Sequence, residues 1–271
     1  LSGNTLIVGV HMEDSDATGV DGDSSASGVS ASGAAYVFLR NSGTWIQEAY
    51  LKASNTGFAD FFGQSVAISG DTAVVGAFGE RSSVGGINGD GTDDSASGAG
   101  AAYIFTRSGA SWAQSAYLKA TDPSAHDSFG YSVATTGDFV VVGSYREDSA
   151  SSGIVHVAAD TPADDGANQS GAVYVFARED GEIWYQQAYV KASEPGGGDF
   201  FGRSVAASGE RFAVGGYYED SAATGIDGDA SDNSAKNAGA AWIFVSEGGV
   251  WSEENYLKAP NAETWDQFGF D

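Results

Sequence analysis

Phe62-Gly63-Gln64-Ser65-Val66-Ala67-Ile68-Ser69-Gly70-Asp71-Thr72-Ala73-Val74-Val75-Gly76-Ala77 reads as two short strands joined by a tight turn. The runs on either side of Ser69-Gly70-Asp71 are β-branched or small. The turn itself is built from residues that favour Asx-type bonding and positive φ. The opening Phe-Gly recurs at Phe129-Gly130, Phe201-Gly202 and Phe268-Gly269, each time shortly after an acid: Asp60, Asp127, Asp199 and Asp266. A tryptophan keeps the same beat at Trp45, Trp112, Trp184 and Trp251, and both series step by 67, 72 and 67 residues. Two independent markers in register establish four copies of one unit, approximately 1–60, 61–127, 128–199 and 200–271.

Outward from the opening hairpin, each unit carries two more strands. The third is Ala101 to Phe105, echoed by Ala34 to Phe38, Ala172 to Phe176 and Ala240 to Phe244. The fourth runs from the tryptophan to Tyr-Leu-Lys-Ala, as at Tyr50 to Ala53, Tyr117 to Ala120 and Tyr256 to Ala259. No window has a helical period. Four strands in a repeat of this length predict an all-β chain of propeller blades. The near-continuous apolar second and third strands predict sheets covered on both faces.

The repeat Phe-Gly, Ser-Val-Ala, Val-Val-Gly-Ala resembles the FG-GAP pattern of integrin α-chain heads and of bacterial surface proteins, over essentially the whole chain. The resemblance implies a β-propeller, usually extracellular or at the cell surface, working in adhesion or ligand binding and often carrying calcium. One departure stands out: integrin-type blades hold an Asp-rich calcium loop between the first two strands, and here that turn is only Ser-Gly-Asp. Leu1-Ser2-Gly3-Asn4 corresponds to Ile68-Ser69-Gly70-Asp71, so the first unit lacks its opening strand, and Phe268 to Asp271 begins one. Joined, the two ends miss the phase of the repeat by about two residues. A single propeller domain over 1–271 is expected, either a closed four-bladed ring or part of a larger one such as the seven-bladed ring common in the family. Leu1 follows no Met or signal-peptide pattern, so the chain is expected to be processed or part of a longer precursor.

Acidic residues outnumber basic ones 37 to 12, a formal net charge of −25. Such a surface repels phosphate backbones and anionic lipid and argues against nucleic-acid and membrane-surface roles. No apolar run spans a bilayer, so no membrane insertion is expected. Without cysteine, disulfides and thiolate metal sites are excluded, and bound calcium is an alternative way to tie down loops.

The acids concentrate between the second and third strands. Asp21 and Asp23 in the first unit, Asp90, Asp93 and Asp94 in the second, and Asp227, Asp229 and Asp232 in the fourth are the calcium-ligand candidates. Carboxylates around a glycine can wrap a hard cation. Glu13-Asp14, Glu147-Asp148 and Glu219-Asp220 are weaker candidates, and Arg81 follows Glu80 where the others have Asp. The third unit diverges into His156, Asp160, Asp164 and Asp165. The same composition also reads as plain turn chemistry, and the Asp before Phe-Gly reads chiefly as a turn cap. The repeated Trp and Tyr read as core and inter-blade packing.

Three scattered histidines and no nucleophile or phosphate-loop motif argue against an enzyme. A glycosidase-like carboxylate pair is the nearest catalytic alternative, and the third unit, which breaks the repeat, is its natural place. The expectation is a calcium-binding adhesion or recognition scaffold for a protein or glycan ligand, bridged by a cation, with self-association open. Alternatively, the chain is a structural segment of a long adhesin or filament without its own ligand. A contiguous exposed aromatic patch would favour the binding module.

Overall fold

A computed structural model describes residues 1–156, 164–179 and 183–271; among these there are sixteen strands and no helix. The chain divides into two compact units, Leu1–Val140 and Val141–Asp271.

In the first unit, β1 (Thr5–Val10), β2 (Ala34–Asn41) and β3 (Thr44–Leu51) form an antiparallel sheet in that order. Next comes the four-stranded sheet of β4 (Ser65–Ser69), β5 (Thr72–Ala77), β6 (Ala101–Ser108) and β7 (Ser111–Leu118), followed by β8 (Ser132–Thr135). The division between the units falls within β9 (Phe139–Ser144). With β10 (Ile154–Val155), β11 (Ala172–Glu179) and β12 (Ile183–Val190) the third sheet runs β10-β12-β11-β9-β8. The fourth contains β13 (Ser204–Ser208), β14 (Arg211–Gly216), β15 (Ala240–Glu247) and β16 (Val250–Leu257), in that order. These are the expected blades, and the first sheet has three strands.

All six residues of β5 and of β9 are buried, as an unbroken apolar run on a doubly covered sheet requires. The hairpin between third and fourth strands breaks register at one equivalent step in every blade: Val37/Phe38, Ile104/Phe105, Val175/Phe176 and Ile243/Phe244. That bulge lets a buried first half and a solvated second half share one strand pair.

Phe-Gly is the seam between neighbouring blades. Phe62 is fully buried, edge-on to Tyr103 at 5.3 Å and to Phe105 at 6.1 Å within its own blade. Its backbone pairs in parallel with Gly33 of the preceding blade, as Phe129 does with Gly100. At Gly130 φ is +83°, and a Cβ there would lie 2.1 Å from the Ala101 carbonyl oxygen, so only glycine allows the approach.

Trp112 lies against the previous blade, its Nε1 donating to Glu48 Oε2 at 3.0 Å, and Trp251 donates likewise to Gln187 Oε1 at 2.8 Å. Trp112, Trp184 and Trp251 are buried as expected, but Trp45 is 43% exposed.

Candidate functional site

Each blade hides a lysine. In Tyr-Leu-Lys (Tyr-Val-Lys in the third unit), the fourth strand ends by carrying its lysine inside: Lys52, Lys119 and Lys191 are fully buried and Lys258 is 4% exposed. Each ammonium meets the glutamate that opens the acidic loop, Lys52 with Glu13 at 2.8 Å, Lys119 with Glu80 at 2.7 Å, Lys191 with Glu147 at 2.7 Å and Lys258 with Glu219 at 2.6 Å. Lys52 also donates to the Ser15 carbonyl and Ser32 Oγ, both at 2.8 Å. Tyr50 and Tyr117 hydroxyls donate to the second oxygens of Glu13 and Glu80 at 3.0 and 2.8 Å. Burial lowers the basicity of Lys119 and Lys191, and the facing glutamates oppose that effect. Glu13, Glu147 and Glu219 therefore spend their charge on an internal ammonium.

The residue after each glutamate has a different task. Asp14, Asp148 and Asp220 accept the backbone N–H of Ala31, Gln169 and Asn237 at 2.7, 2.6 and 2.6 Å. Those three residues sit at φ of 53°, 55° and 56°, a left-handed conformation costly for a side chain. The second blade has Gly98 at the equivalent place, with φ +67°, where no such cost arises. This explains Arg81: with glycine in the turn, the carboxylate cap is dispensable.

The loop acids lie as follows. Asp21 and Asp227, at φ of 54°, accept the N–H of Tyr50 and Tyr256 at 2.9 Å, so each carboxylate extends a strand edge. Asp23, Asp90 and Asp229 close Asx-turns on Ser25, Thr92 and Ser231. Asp93 gathers the N–H of Ser83 and Ser95 with both hydroxyls, which pull its carboxyl down to about 2. Asp232 accepts the Ser234 N–H at 3.1 Å, and Asp94 is exposed. Asp164 holds Ser149 and Ala150, Asp165 is exposed, and Asp160 lies outside the described residues. Among the described residues no three His, Asp or Glu side chains form a group that could hold a metal ion. The carboxylates named from the sequence are distributed over turns and strand edges.

The histidines are apart. His11 lies 6.3 Å from the Phe61 ring, His126 is a left-handed turn residue, and His156 lines a cavity of about 400 Å³ with Tyr185, Gln186, Gln187 and the Gly248–Gly249 turn.

Asp60, Asp127 and Asp199 are buried turn caps, as their sequence position implied, whereas Asp266 is exposed. Ser124 and Gly196 donate their N–H groups to Asp127 and Asp199 at 3.0 and 2.7 Å. The next residue is left-handed each time: Phe61, Ser128, Phe200 and Gln267. The second Phe of Phe61-Phe62 and Phe200-Phe201 is thus fully buried and the first only half-buried.

The half-buried first rings make contact with others. In the first unit Phe61 stacks on Phe78 at 4.9 Å, and Tyr131 joins at 5.4 Å. In the second unit the array is larger. Tyr145 contacts Phe200 at 5.4 Å, Phe200 contacts Tyr217 and Tyr218 at 5.7 and 5.3 Å, and these two touch each other at 4.1 Å. Phe270 and Trp265 extend it from Tyr217 and Tyr218 at 5.2 and 6.3 Å. Trp265 is 58% and Phe270 49% exposed. Sequence reading missed this array; the doubled Phe-Phe and Tyr217-Tyr218, in excess of what the repeat needs, were its signal.

The FG-GAP repeat family model matches residues 45–105, 112–158 and 184–244, more than half of the chain. Together with the four antiparallel blades this makes the chain a member of the FG-GAP repeat family, built as propeller blades. Among curated proteins none matches it.

Burial is the leading cause that lifts the Asp60 and Asp199 carboxyls from 3.8 to about 7. Glu80 and Asp94 add to it at Asp60, with Arg81 opposing; Glu219 and Asp220 add to it at Asp199, with Lys258 opposing. A raised carboxyl contributes stability that is complete below pH 4 and is lost as pH rises through 7. Urea unfolding should show stability climbing on acidification from pH 8 to pH 5, with up to about 1 kcal/mol per pH unit from each group. Asp60→Asn with Asp199→Asn should flatten that slope and raise stability at pH 8; an unchanged slope would show that neither carboxyl is protonated in the fold.

Proposed function

We propose that the chain is a non-catalytic recognition module of the extracellular space or cell surface, and that the Tyr145–Phe270 ring array of its second unit is the contact surface. The exposure of Trp265 and Phe270 at the ends of a continuous run of ring contacts carries this reading. Exposed aromatic side chains at the edge of a ring cluster, as Trp265 and Phe270 are, are characteristic of binding surfaces, where aromatic anchors supply much of the contact energy. The partner is a protein or a glycan. With 37 acidic residues against 12 basic, a nucleic-acid partner is disfavoured.

Binding of the fluorescently labelled chain to intact cells and to extracellular matrix material tests this. Saturable binding is expected, reduced at least about tenfold by Trp265→Ala with Tyr218→Ala, a typical loss for aromatic anchors. The variant should keep the parent's melting temperature. No saturable binding, or equal binding by the variant, would leave a structural repeat; binding only between copies of the chain would make the array a self-association surface.

Calcium is a separate proposal, confined to the exposed loop tips around Asp23, Asp93, Asp94, Asp229 and Asp232. An ion there would take carboxylates out of the turns they now close, so its coupling to folding is expected to be weak. In melts of the EDTA-stripped chain, calcium should raise the transition by at most a few degrees over magnesium. A large calcium-selective rise would instead mean an ion shell that is integral to the fold.

A further inference from the structure

The third blade departs from the repeat at one point of its long loop. Ile154 pairs with Val190 as Val20, Ile87 and Ile226 pair with Leu51, Leu118 and Leu257. Two residues further on, the other blades have Gly22, Gly89 and Gly228. A Cβ at those glycines would come within 2.8, 2.9 and 2.8 Å of side chains of the same loop, so each of these loops closes tightly on itself. The third blade has His156 at this place, exposed and at the wall of the cavity of about 400 Å³. Tyr185 is a second departure, since Ile46, Ala113 and Ser252 follow the tryptophan in the other blades.

The adjoining seam also differs from its counterpart in the first unit. Ser246 pairs with Trp251 as Arg107 pairs with Trp112, and the two indoles donate to Gln187 Oε1 and Glu48 Oε2. Glu48 takes the Arg107 guanidinium as well, at 3.0 Å, which closes that seam with an ion pair. Serine for the arginine and an amide for the carboxylate leave no such closure. Gln187 Nε2 has the Tyr185 hydroxyl at 3.5 Å, at the limit of a hydrogen bond. A Cβ at Gly249 would stand 3.3 Å from that nitrogen, and the equivalent turn of the second blade has Ala110 there. Among the described residues no Asp, Glu, Lys or Arg lines the cavity, although the chain has 37 acids and 12 lysines and arginines.

We propose that this cavity binds an uncharged sugar residue. It shares no residue with the ring array, so the inference goes beyond the recognition reading and does not depend on it. The volume falls in the range of small-ligand sites, roughly 300–1,000 Å³. Sugar hydroxyls both donate and accept, and the Gln187 amide, the Tyr185 hydroxyl and the His156 imidazole together offer both functions. Tyr185 and Val250, 40% and 59% exposed, add apolar surface for the C–H face of a sugar ring. An ionised ligand would leave water without meeting a counter-charge in this lining, which selects a neutral one.

Calorimetric titration of the whole chain tests this with the methyl glycosides of glucose, galactose, mannose and N-acetylglucosamine. Glucuronate and galacturonate serve as charged counterparts, and phenol as an uncharged ring without the sugar's hydroxyls. At least one neutral glycoside should bind saturably, and the uronates and phenol should bind more weakly. His156→Gly and Tyr185→Ala install residues that sister blades carry, and Gln187→Glu keeps an acceptor for the indole as Glu48 does. Each should weaken the bound glycoside by about threefold or more, the loss of one neutral hydrogen bond, with the melting temperature unchanged. Should one variant lose stability, the other two decide. No saturable binding of any glycoside, or binding that the variants retain in full, overturns the site. Equal or tighter binding of the uronates overturns the uncharged ligand, and preference for phenol overturns the sugar.

Discussion

The fold depends on an ammonium buried in every blade. A charge of this kind inside a protein is tolerated only when it is paired and hydrogen-bonded, and a glutamate oxygen lies 2.6–2.8 Å from each of the four ammonium groups. The pair joins the end of the fourth strand to the start of the long loop after the second. It thereby fixes where the loop leaves the sheet and where it returns. The returning chain then pairs with the outer strand in each blade, at Val20–Leu51, Ile87–Leu118, Ile154–Val190 and Ile226–Leu257. A loop rich in carboxylates and held by a lysine carries its own counter-charge. In this chain that role belongs to a side chain at one fixed point of the repeat.

With the loop root fixed, left-handed residues set the rest. Asp14, Asp148 and Asp220 cap positions where a side chain strains the backbone, and Gly98 relieves the strain without a cap. Left-handed Phe61 and Phe200 separate an inward ring from an outward one across a single peptide. Phe61 and Phe200 are left half-buried, in contact with neighbouring rings.

Much of this was legible in the sequence. The 67- and 72-residue beat of Phe-Gly and Trp gave the blades, and the apolar runs at Val74-Val75 and Val140-Val141-Val142 gave strands buried on both faces. The turn role of the Asp before Phe-Gly was also readable, because an acid just before a glycine-bearing turn has few other uses. The partners of the loop acids were not. Glu13 and Lys52 are 39 residues apart, and nothing in Tyr-Leu-Lys-Ala announces that its lysine points inward at a strand end. A cluster of carboxylates looks the same in sequence whether a metal, an ammonium or a backbone N–H will satisfy it. The aromatic array was hidden for a related reason: Phe61 and Phe62 are adjacent and alike, and it is the left-handed backbone of Phe61 that accompanies full burial of one ring and half-burial of the other.

A double-mutant cycle on the second blade tests the buried pair most directly, with Glu80→Gln, Lys119→Met and both together compared by chemical unfolding. If the pair holds the blade, each single change should cost about 3–5 kcal/mol by stranding a charge, and the double change should cost far less than their sum. Single changes that are nearly neutral, or costs that simply add, would contradict the account and return the loops to independent turns on an otherwise self-sufficient sheet.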